Sequence, residues 1–344
     1  MSSKLKIAVV GATGAVGEAM LSILAEYGFD DADVHALASE KSLGKSLDFG
    51  HRKLPVEVLD DYDFSGTDYG LFSAGAGISL QYAPRAAKAG CTVIDNTSAF
   101  RLDDDIPLVV PEINGDLLEN LQAGSIIANP NCSTIQMLIA IAPIHALAGI
   151  ERVNVATYQS VSGAGSEGME ELARQTMERL TFKEVKPSVF AQPIAFNCLP
   201  AIDTMQDNDY TREEMKLHWE TRKILRDESV AVNATAVRVP VFYGHSEAVH
   251  LETAREVSMD AVREAMHEAP GLVLVDDTDA KAQVTAVTHG AGKDQTFVSR
   301  LRRDFTHPRG IDMWVVSDNV RKGAALNAVQ ILKMMVTGKM PVET

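Results

Sequence analysis

The fold is decided by the stretch Leu5-Lys6-Ile7-Ala8-Val9-Val10-Gly11-Ala12-Thr13-Gly14-Ala15-Val16-Gly17. Residues 5–10 have the apolar character of a buried strand, and residues 18–27 carry apolar side chains at helical spacing. Three glycines lie between them, where they let the backbone approach a pyrophosphate bound at the helix N-terminus. A tight structural turn would also use these glycines, but the strand before them and the helix after them favour a dinucleotide site.

The alternation continues outward from this unit. Four further short apolar segments predict strands, at Val34–Ala38, Tyr69–Ser73, Thr92–Asp95 and Ser125–Ala128. With helical patterns between them, such as residues 79–88, they are typical of a parallel, doubly wound α/β sheet. An amphipathic helix pattern over residues 319–335 is expected to pack back on this first domain.

Beyond Cys132 the pattern changes to alternating apolar and polar residues. Period-two runs predict strands at Val153–Ser160, Val232–Val241, Ala248–Glu252 and Gln283–Thr288. We expect an α+β domain there, with a larger and mostly antiparallel sheet. The predicted domains are residues 1–130 with 319–344, and residues 131–318.

Composition excludes several classes of protein. The 344 residues are 46% hydrophobic, which is enough apolar material for the cores of two domains. Their net charge of −15 argues against a nucleic-acid surface. We find no secretory leader, no apolar run long enough for a membrane span and no metal-ligand pairing of cysteines, so we expect a cytoplasmic protein without metal. The apolar surroundings of Cys91 and Cys198 predict that both pack in the core.

A third cysteine lies in Asn129-Pro130-Asn131-Cys132-Ser133-Thr134, just before the apolar run of residues 135–142. This places Cys132 at the N-terminus of a predicted helix, where unpaired N–H groups favour the thiolate. A thiolate is a strong nucleophile, and backbone N–H groups around Asn131 and Cys132 are candidate donors to an oxyanion.

Several charged residues are candidate partners, each with a structural alternative. His245 follows a glycine and competes with eight other histidines for the role of proton acceptor. Arg238 lies in an apolar strand, where it serves either a ligand or an internal salt bridge, and Arg101 follows a polar loop. Glu213 and Lys216 share a helix face, as a solvated ion pair also would.

The end of the second predicted strand reads Ser39-Glu40-Lys41-Ser42. Hydroxyls and a lysine there suit a 2′-phosphate and favour NADP over NAD. Glu40 allows the alternative of a carboxylate on a ribose hydroxyl, or of a side chain that only faces solvent.

Taken together, these residues resemble the aspartate-semialdehyde dehydrogenase family, from Lys6 to the final helix. Besides the glycine turn and the cysteine motif, the matching segments are Asp95-Asn96-Thr97-Ser98-Ala99-Phe100-Arg101, Gln159-Ser160-Val161-Ser162-Gly163-Ala164-Gly165, Glu213-Glu214-Met215-Lys216, Arg238-Val239-Pro240-Val241, Gly244-His245-Ser246-Glu247 and Asp318-Asn319-Val320-Arg321-Lys322-Gly323-Ala324-Ala325. The resemblance implies a Rossmann-type first domain and a catalytic and dimerisation domain.

The resemblance also implies residue roles. Cys132 is similar to the family's nucleophile, His245 to its acid/base and Gln159 to the amide that orients the substrate. The implied substrate-binding residues are Arg238 for the α-carboxylate, Glu213 for the amino group, Arg101 and Lys216 for phosphate, with Asn131 and Ser98. The implied cofactor-binding residues are Gly11, Thr13, Gly14, Ala15, Val16, Gly17, Ser39, Lys41, Ser42, Ser162, Gly163, Gly165 and Asn319. Lys41 stands where many relatives have arginine.

The implied activity is the reversible, NADPH-dependent reduction of L-aspartyl-4-phosphate to aspartate 4-semialdehyde and phosphate, through a cysteine thioester, in a homodimer. Lysine, threonine and methionine biosynthesis use this step. Two alternatives remain: an enzyme similar to N-acetyl-glutamyl-phosphate reductase, and a non-catalytic dinucleotide-binding relative.

Overall fold

The computed structural model describes residues 4–339 and divides into two compact units. One unit runs to Asn131 and resumes at Ala324, and the other is Cys132–Gly323. The second unit is therefore an insertion in the sequence of the first.

The first unit is built on a seven-stranded sheet with strand order β3-β4-β2-β1-β5-β6-β7. Its strands are β1 Lys6–Val10, β2 Asp33–Ala38, β3 Ser46–Phe49, β4 Arg52–Val58, β5 Tyr69–Phe72, β6 Thr92–Asp95 and β7 Ile126–Ala128. Its helices are α1 Ala15–Leu24, α2 Ala76–Lys88, α3 Pro111–Asn114 and a final helix, Leu326–Thr337. Every neighbouring pair of strands is parallel except β3 and β4. The prediction of a doubly wound α/β sheet is confirmed.

The core of this unit explains why the opening stretch folds as it does. Ile7 and Val9 of β1 are fully buried in one cluster with Met20 and Leu24 of α1. The final helix adds Leu326, Val329, Ile331 and Leu332 to the same cluster, so it packs on this unit as its apolar pattern predicts.

The second unit is built on a six-stranded sheet with strand order β11-β12-β13-β10-β8-β9. Its strands are β8 Ile150–Gln159, β9 Ala231–Arg238, β10 His245–Thr253, β11 Leu272–Leu274, β12 Thr296–Arg303 and β13 Gly310–Ser317. Its helices are α4 Cys132–Ala148, α5 Gly165–Leu180, α6 Arg212–Leu225 and α7 Met259–Glu268. The three central pairings are antiparallel and the two outer ones are parallel. The α+β prediction is confirmed, although this sheet has one strand fewer than the first.

Two local predictions are wrong. Residues 283–288 form no strand, because Ala286–Gly290 closes a single π-helical turn that is capped by the Thr285 side chain. Cys91 is buried as expected, but Cys198 is exposed because it lies in an irregular loop. None of the three cysteines, which all lie within residues 4–339, forms a disulfide bond.

Within residues 4–339, no helix is long and apolar enough to cross a membrane.

Candidate active site

The glycine turn of the first unit has the geometry of a phosphate cradle. Gly11 has a φ of +84°, and a Cβ on it would lie 2.8 Å from the backbone nitrogen of Ala74. A Cβ on Gly17 would lie 2.2 Å from the Gly11 carbonyl oxygen, so only glycine lets α1 start this close to β1. Gly14 precedes α1 without a side-chain cap, which leaves the amides of Ala15 and Val16 for an anion.

The segment after β2 lies beside this turn. The Ser42 hydroxyl is buried and lies 3.3 Å from the Thr13 hydroxyl, which joins the two segments. Ser39 and Lys41 are exposed, as is Glu40. Both a basic and an acidic group therefore stand at the position where a ribose or its phosphate is bound in this fold.

Three predicted substrate residues also belong to the first unit. Arg101 is buried, and its Nη2 donates to the Asn96 carbonyl oxygen at 2.9 Å. This loop is organised by the buried carboxylate of Asp95, which accepts the hydroxyls of Ser79 at 2.6 Å and Thr97 at 2.7 Å. Ser98 is half-buried in the same loop, and Asn131 is buried at the end of the unit.

Cys132 is the first residue of α4 and is half-buried. The helix itself is buried almost all round over residues 133–141, which fixes its start in the second unit. Gly323 passes directly beside the thiol-bearing residue, because a Cβ on Gly323 would lie 2.7 Å from the Cβ of Cys132. The prediction of a cysteine at a helix N-terminus is confirmed.

Gln159, at the end of β8, connects the start of α4 to α6. Its Nε2 donates to the Ser133 hydroxyl at 2.9 Å and to Glu213 Oε1 at 3.1 Å. A third contact, to the Thr157 hydroxyl, is 3.3 Å long. The amide of Gln159 is thus fixed between a helix that begins with the thiol and a carboxylate predicted to bind an amino group.

His245, the first residue of β10, is fully buried. Its Nδ1 accepts the backbone N–H of Ser160 at 3.1 Å and lies 3.0 Å from the Ser160 hydroxyl. Nε2 makes no hydrogen bond to any residue in the described range. Burial and the nearby charge of Arg238 lower the pKa of His245 to about 3, so the imidazole is neutral at physiological pH.

Arg238 ends β9 and is 7% exposed. Its Nη1 donates to the Ser160 carbonyl oxygen at 2.8 Å, so Arg238 and His245 contact the two polar backbone groups of one residue. No acidic side chain forms an ion pair with Arg238 among residues 4–339, which rejects the alternative of an internal salt bridge. Burial lowers the pKa of Arg238, and the charges of Glu213 and Cys132 oppose that shift.

Lys216 and Glu213 start α6, which begins with a capping box between Thr211 and Glu214. Lys216 Nζ lies 2.8 Å from Glu213 Oε2 and 2.9 Å from Asp203 Oδ2. The Glu213 carboxylate and the Lys216 ammonium are only 8% and 16% exposed, so this is not the solvated ion pair that the sequence left open.

The predicted cofactor residues of the second unit lie around Ser160, the serine that Arg238 and His245 contact. The Asn319 side chain hydrogen-bonds Ser162 Oγ at 2.9 Å and accepts the Ser160 hydroxyl at 3.0 Å and the Gly244 amide at 3.0 Å. A Cβ on Gly163 would lie 2.7 Å from Arg238 Nη1 and 3.5 Å from His245 Nε2. Gly165, with a φ of +79°, begins α5.

Three residues of this arrangement were not singled out from the sequence. Ser160 joins His245, Arg238 and Asn319, Gly323 makes room for Cys132, and Asp203 pairs with Lys216. Ser160 and Gly323 do lie within segments that carried the family resemblance. Asp203 had no local signal, because it comes from a loop 13 residues before its partner. Over the described part of the chain, no group of three His, Cys, Asp or Glu residues is placed to hold a metal.

Comparisons with known proteins agree over the whole chain. Residues 6–121 match the family model for the NAD-binding domain of semialdehyde dehydrogenases, and residues 141–322 match the model for their dimerisation domain. An aspartate-semialdehyde dehydrogenase of Legionella pneumophila is 51% identical over 97% of this chain and 96% of its own length. Aspartate-semialdehyde dehydrogenase 2 of Vibrio cholerae is 51% identical over 98% of this chain and 99% of its own.

The structural comparison gives the same result. The crystal structure of aspartate-semialdehyde dehydrogenase II from Vibrio cholerae, complexed with ASA, superposes with a TM-score of 0.94 at 50% identity. The match covers 97% of this chain and 99% of that one.

Proposed function

Because the chain belongs to the aspartate-semialdehyde dehydrogenase family, we propose that it reduces L-aspartyl-4-phosphate to aspartate 4-semialdehyde, reversibly and with NADPH, in lysine, threonine and methionine biosynthesis. One observation carries this proposal. A half-buried thiol begins α4 in a unit whose buried Arg238 has no acidic partner in the described range, and the charges of the two groups interact. A nucleophile near an arginine that has no acidic partner suits a substrate with both a carboxylate and an electrophilic carbon.

In the biosynthetic direction, the Cys132 thiolate attacks the acyl carbon of the substrate. A C–S bond forms, the C–O bond to phosphate breaks, and phosphate leaves with the electron pair. Arg101 and Lys216 hold the phosphate, and the N-terminus of α4 favours the thiolate. Sulfur is required because it is both a good nucleophile and a good leaving group.

The thioester is then reduced. NADPH, when bound, supplies the hydride. His245 donates a hydrogen bond from Nε2–H to the former carbonyl oxygen as negative charge develops there. Cleavage of the C–S bond then releases the aldehyde and regenerates the thiolate.

Substrate recognition uses the two ends of the amino-acid group. Arg238 binds the α-carboxylate in a two-pronged contact, Glu213 pairs with the amino group, and Gln159 orients the substrate. Backbone N–H groups around Asn131, with Ser98, complete the substrate contacts. An acetylated amine would have no charge for Glu213 to pair with, so this set favours a free amino acid over an N-acetylated one.

The cofactor-binding residues are the glycine turn with Thr13, the segment Ser39, Lys41 and Ser42, and the group Ser162, Gly163, Gly165 and Asn319. The exclusion of any Cβ at Gly17 and the uncapped start of α1 support a pyrophosphate on this turn. The exposed Lys41 supports NADP over NAD, as a cation for the 2′-phosphate.

The protein acts as a cytoplasmic homodimer that assembles through its second unit. Large apolar side chains are exposed at the end of α5 and just after it: Met177 at 69%, Leu180 at 69% and Phe182 at 99%. Apolar surface of this kind is typical of an interface. Three cysteines without a disulfide bond among residues 4–339 fit a reducing compartment.

The test is an assay of NADPH formation from aspartate semialdehyde and NADP, with and without phosphate. We expect strict dependence on phosphate, a covalent substrate adduct on the intact protein by mass spectrometry, and loss of both in Cys132→Ala with NADP binding retained. Cys198→Ala, which removes an exposed thiol, is the matched control and stays active. Turnover by Cys132→Ala rejects the mechanism, and activity only with the N-acetyl-glutamate analogue changes the substrate assignment.

A further inference from the structure

Asp203 holds the ammonium group to which the proposed function assigns the substrate phosphate. Its Oδ2 lies 2.9 Å from Lys216 Nζ, on a side chain that is only 16% exposed. Its Oδ1 accepts the backbone amide of the next residue, Thr204, at 2.8 Å. Lys216 is the only cation that pairs with Asp203 among residues 4–339.

The charges at Lys216 do not suit a bound anion as they stand. One ammonium lies between two carboxylates, because Glu213 Oε2 is 2.8 Å from the same nitrogen. Burial raises the pKa of Asp203, but the bonded Lys216 outweighs it and lowers that pKa, so Asp203 is ionised at neutral pH. A phosphate dianion that approaches Lys216 meets a local charge of about −1 and not +1.

The two carboxylates differ in what else they do. Glu213 is 8% exposed and also accepts from Gln159, so it is fixed from two sides. Asp203 is 31% exposed and lines a cavity of about 430 Å³ whose other charged residue is Arg238. Asp203 is therefore the more exposed of the two carboxylates on Lys216, and the one that an anion arriving from solvent displaces more readily.

We propose that Asp203 is an internal counter-ion that occupies Lys216 between turnovers and competes with phosphate for it, so that it sets how tightly phosphate is bound and how readily it leaves. The inference rests on the proposed role of Lys216 as a phosphate contact. In this role Asp203 sets the affinity for phosphate and takes no part in bond making or breaking.

The test is Asp203→Asn, which removes the charge and keeps the shape. Asp203 has a φ of +71°, a conformation that asparagine tolerates as well as aspartate, so the backbone is preserved. We expect the dissociation constant of inorganic phosphate, measured by isothermal titration of the NADP-loaded enzyme, to fall about fivefold. The KM for phosphate falls with it, while the KM for aspartate semialdehyde is unchanged. Asp207→Asn, an exposed acid of the same loop, is the control and leaves both constants unchanged.

A Lys216→Met background separates this inference from the proposed function. Removal of the ammonium should weaken phosphate binding and abolish the effect of Asp203→Asn. If Lys216→Met binds phosphate normally, the phosphate role of Lys216 is itself wrong. If that role stands but Asp203→Asn binds phosphate no more tightly, or does so even in the Lys216→Met background, the counter-ion role is overturned.

Discussion

The backbone amide of Ser160 donates to Nδ1 of His245 at 3.1 Å. This bond makes Nδ1 an acceptor, so the proton of the neutral imidazole lies on Nε2. His245 therefore presents an Nε2–H donor, and its protonation would turn Nδ1 into a second donor facing the Ser160 amide.

The first prediction concerns this tautomer. With the pKa of His245 lowered to about 3 by burial and by Arg238, the ring should stay neutral from pH 8 down to about pH 5. Nitrogen NMR of histidine-labelled enzyme should show Nε2 protonated and Nδ1 bare across that range. An imidazolium signal from His245 near pH 6, identified by its loss in His245→Gln, would contradict this.

The second prediction concerns the two-pronged contact of Arg238. Arg238→Lys keeps the charge but loses the fork, so the KM for aspartate semialdehyde should rise on the order of a hundredfold. NADP affinity, measured by fluorescence titration, serves as the internal control and should not change. An unchanged KM for the semialdehyde would remove Arg238 from the substrate site.

The third prediction concerns Gly163, which lies close to the side chains of Arg238 and His245. Gly163→Ala places a methyl group 2.7 Å from Arg238 Nη1, which forces the guanidinium aside. We expect the KM for aspartate semialdehyde to rise about tenfold with little change in the thermal midpoint, because the displaced atom ends a flexible side chain. Gly77→Ala, where a Cβ meets nothing within 4 Å, is the matched control. Equal kinetics in the two variants would show that Gly163 has no such role.

The fourth prediction concerns the buried Glu247, two residues after His245 on β10. Burial raises its pKa well above the usual value, and the Gln136 side chain offsets only part of that shift. Above pH 4.5 the unfolded chain loses this proton while the folded one keeps it, so the carboxyl lowers the free energy of unfolding increasingly as pH rises. Calorimetry from pH 5.5 to 8 should show a smaller fall in thermal midpoint for Glu247→Gln than for the unchanged protein.

Glu171 provides a control of opposite sign for that experiment. Burial raises its pKa, but hydrogen bonds from the Val189 and Ser188 backbone and from the Ser188 hydroxyl outweigh it and lower the pKa. Its stabilisation is present above its unfolded pKa and is lost as pH falls, so Glu171→Gln should lose stability chiefly at neutral pH. Parallel pH profiles for the two variants would reject the burial argument for Glu247.

Local patterns predicted those parts of the fold whose physical cause is local. The start of α1 has its form because Gly17 lies against the backbone of Gly11 and Ala12, a few residues away, and the start of α4 follows from a polar turn before an apolar run. The β3–β4 pair was missed because β3 is a four-residue strand at the edge of the sheet and β4 contains a proline, so neither has a run of apolar residues. The expected strand at residues 283–288 failed because a side-chain cap on Thr285 favoured a turn over alternation.

The candidate site shows the same limit at longer range. Sequence motifs identified Arg238 and His245 separately, whereas their common hydrogen bonding to Ser160 depends on the pairing of β8 with β9 and β10. The pairing of Asp203 with Lys216 has no local cause at all, because a loop and a helix face bring these charges together. Both kinds of contact depend on tertiary structure, which the periodicity of apolar residues along the chain does not predict.

Cys132 and Gly323 are the first and last residues of the second unit, and they lie against each other. An inserted unit whose first and last residues are in contact can be exchanged between proteins, because its two connections to the rest of the chain lie close together. Here that junction includes the proposed nucleophile. A chimaera that joins this second unit to another nucleotide-binding unit must therefore keep Gly323 along with Cys132. Any other residue at position 323 would place a side chain against Cys132 and displace its thiol.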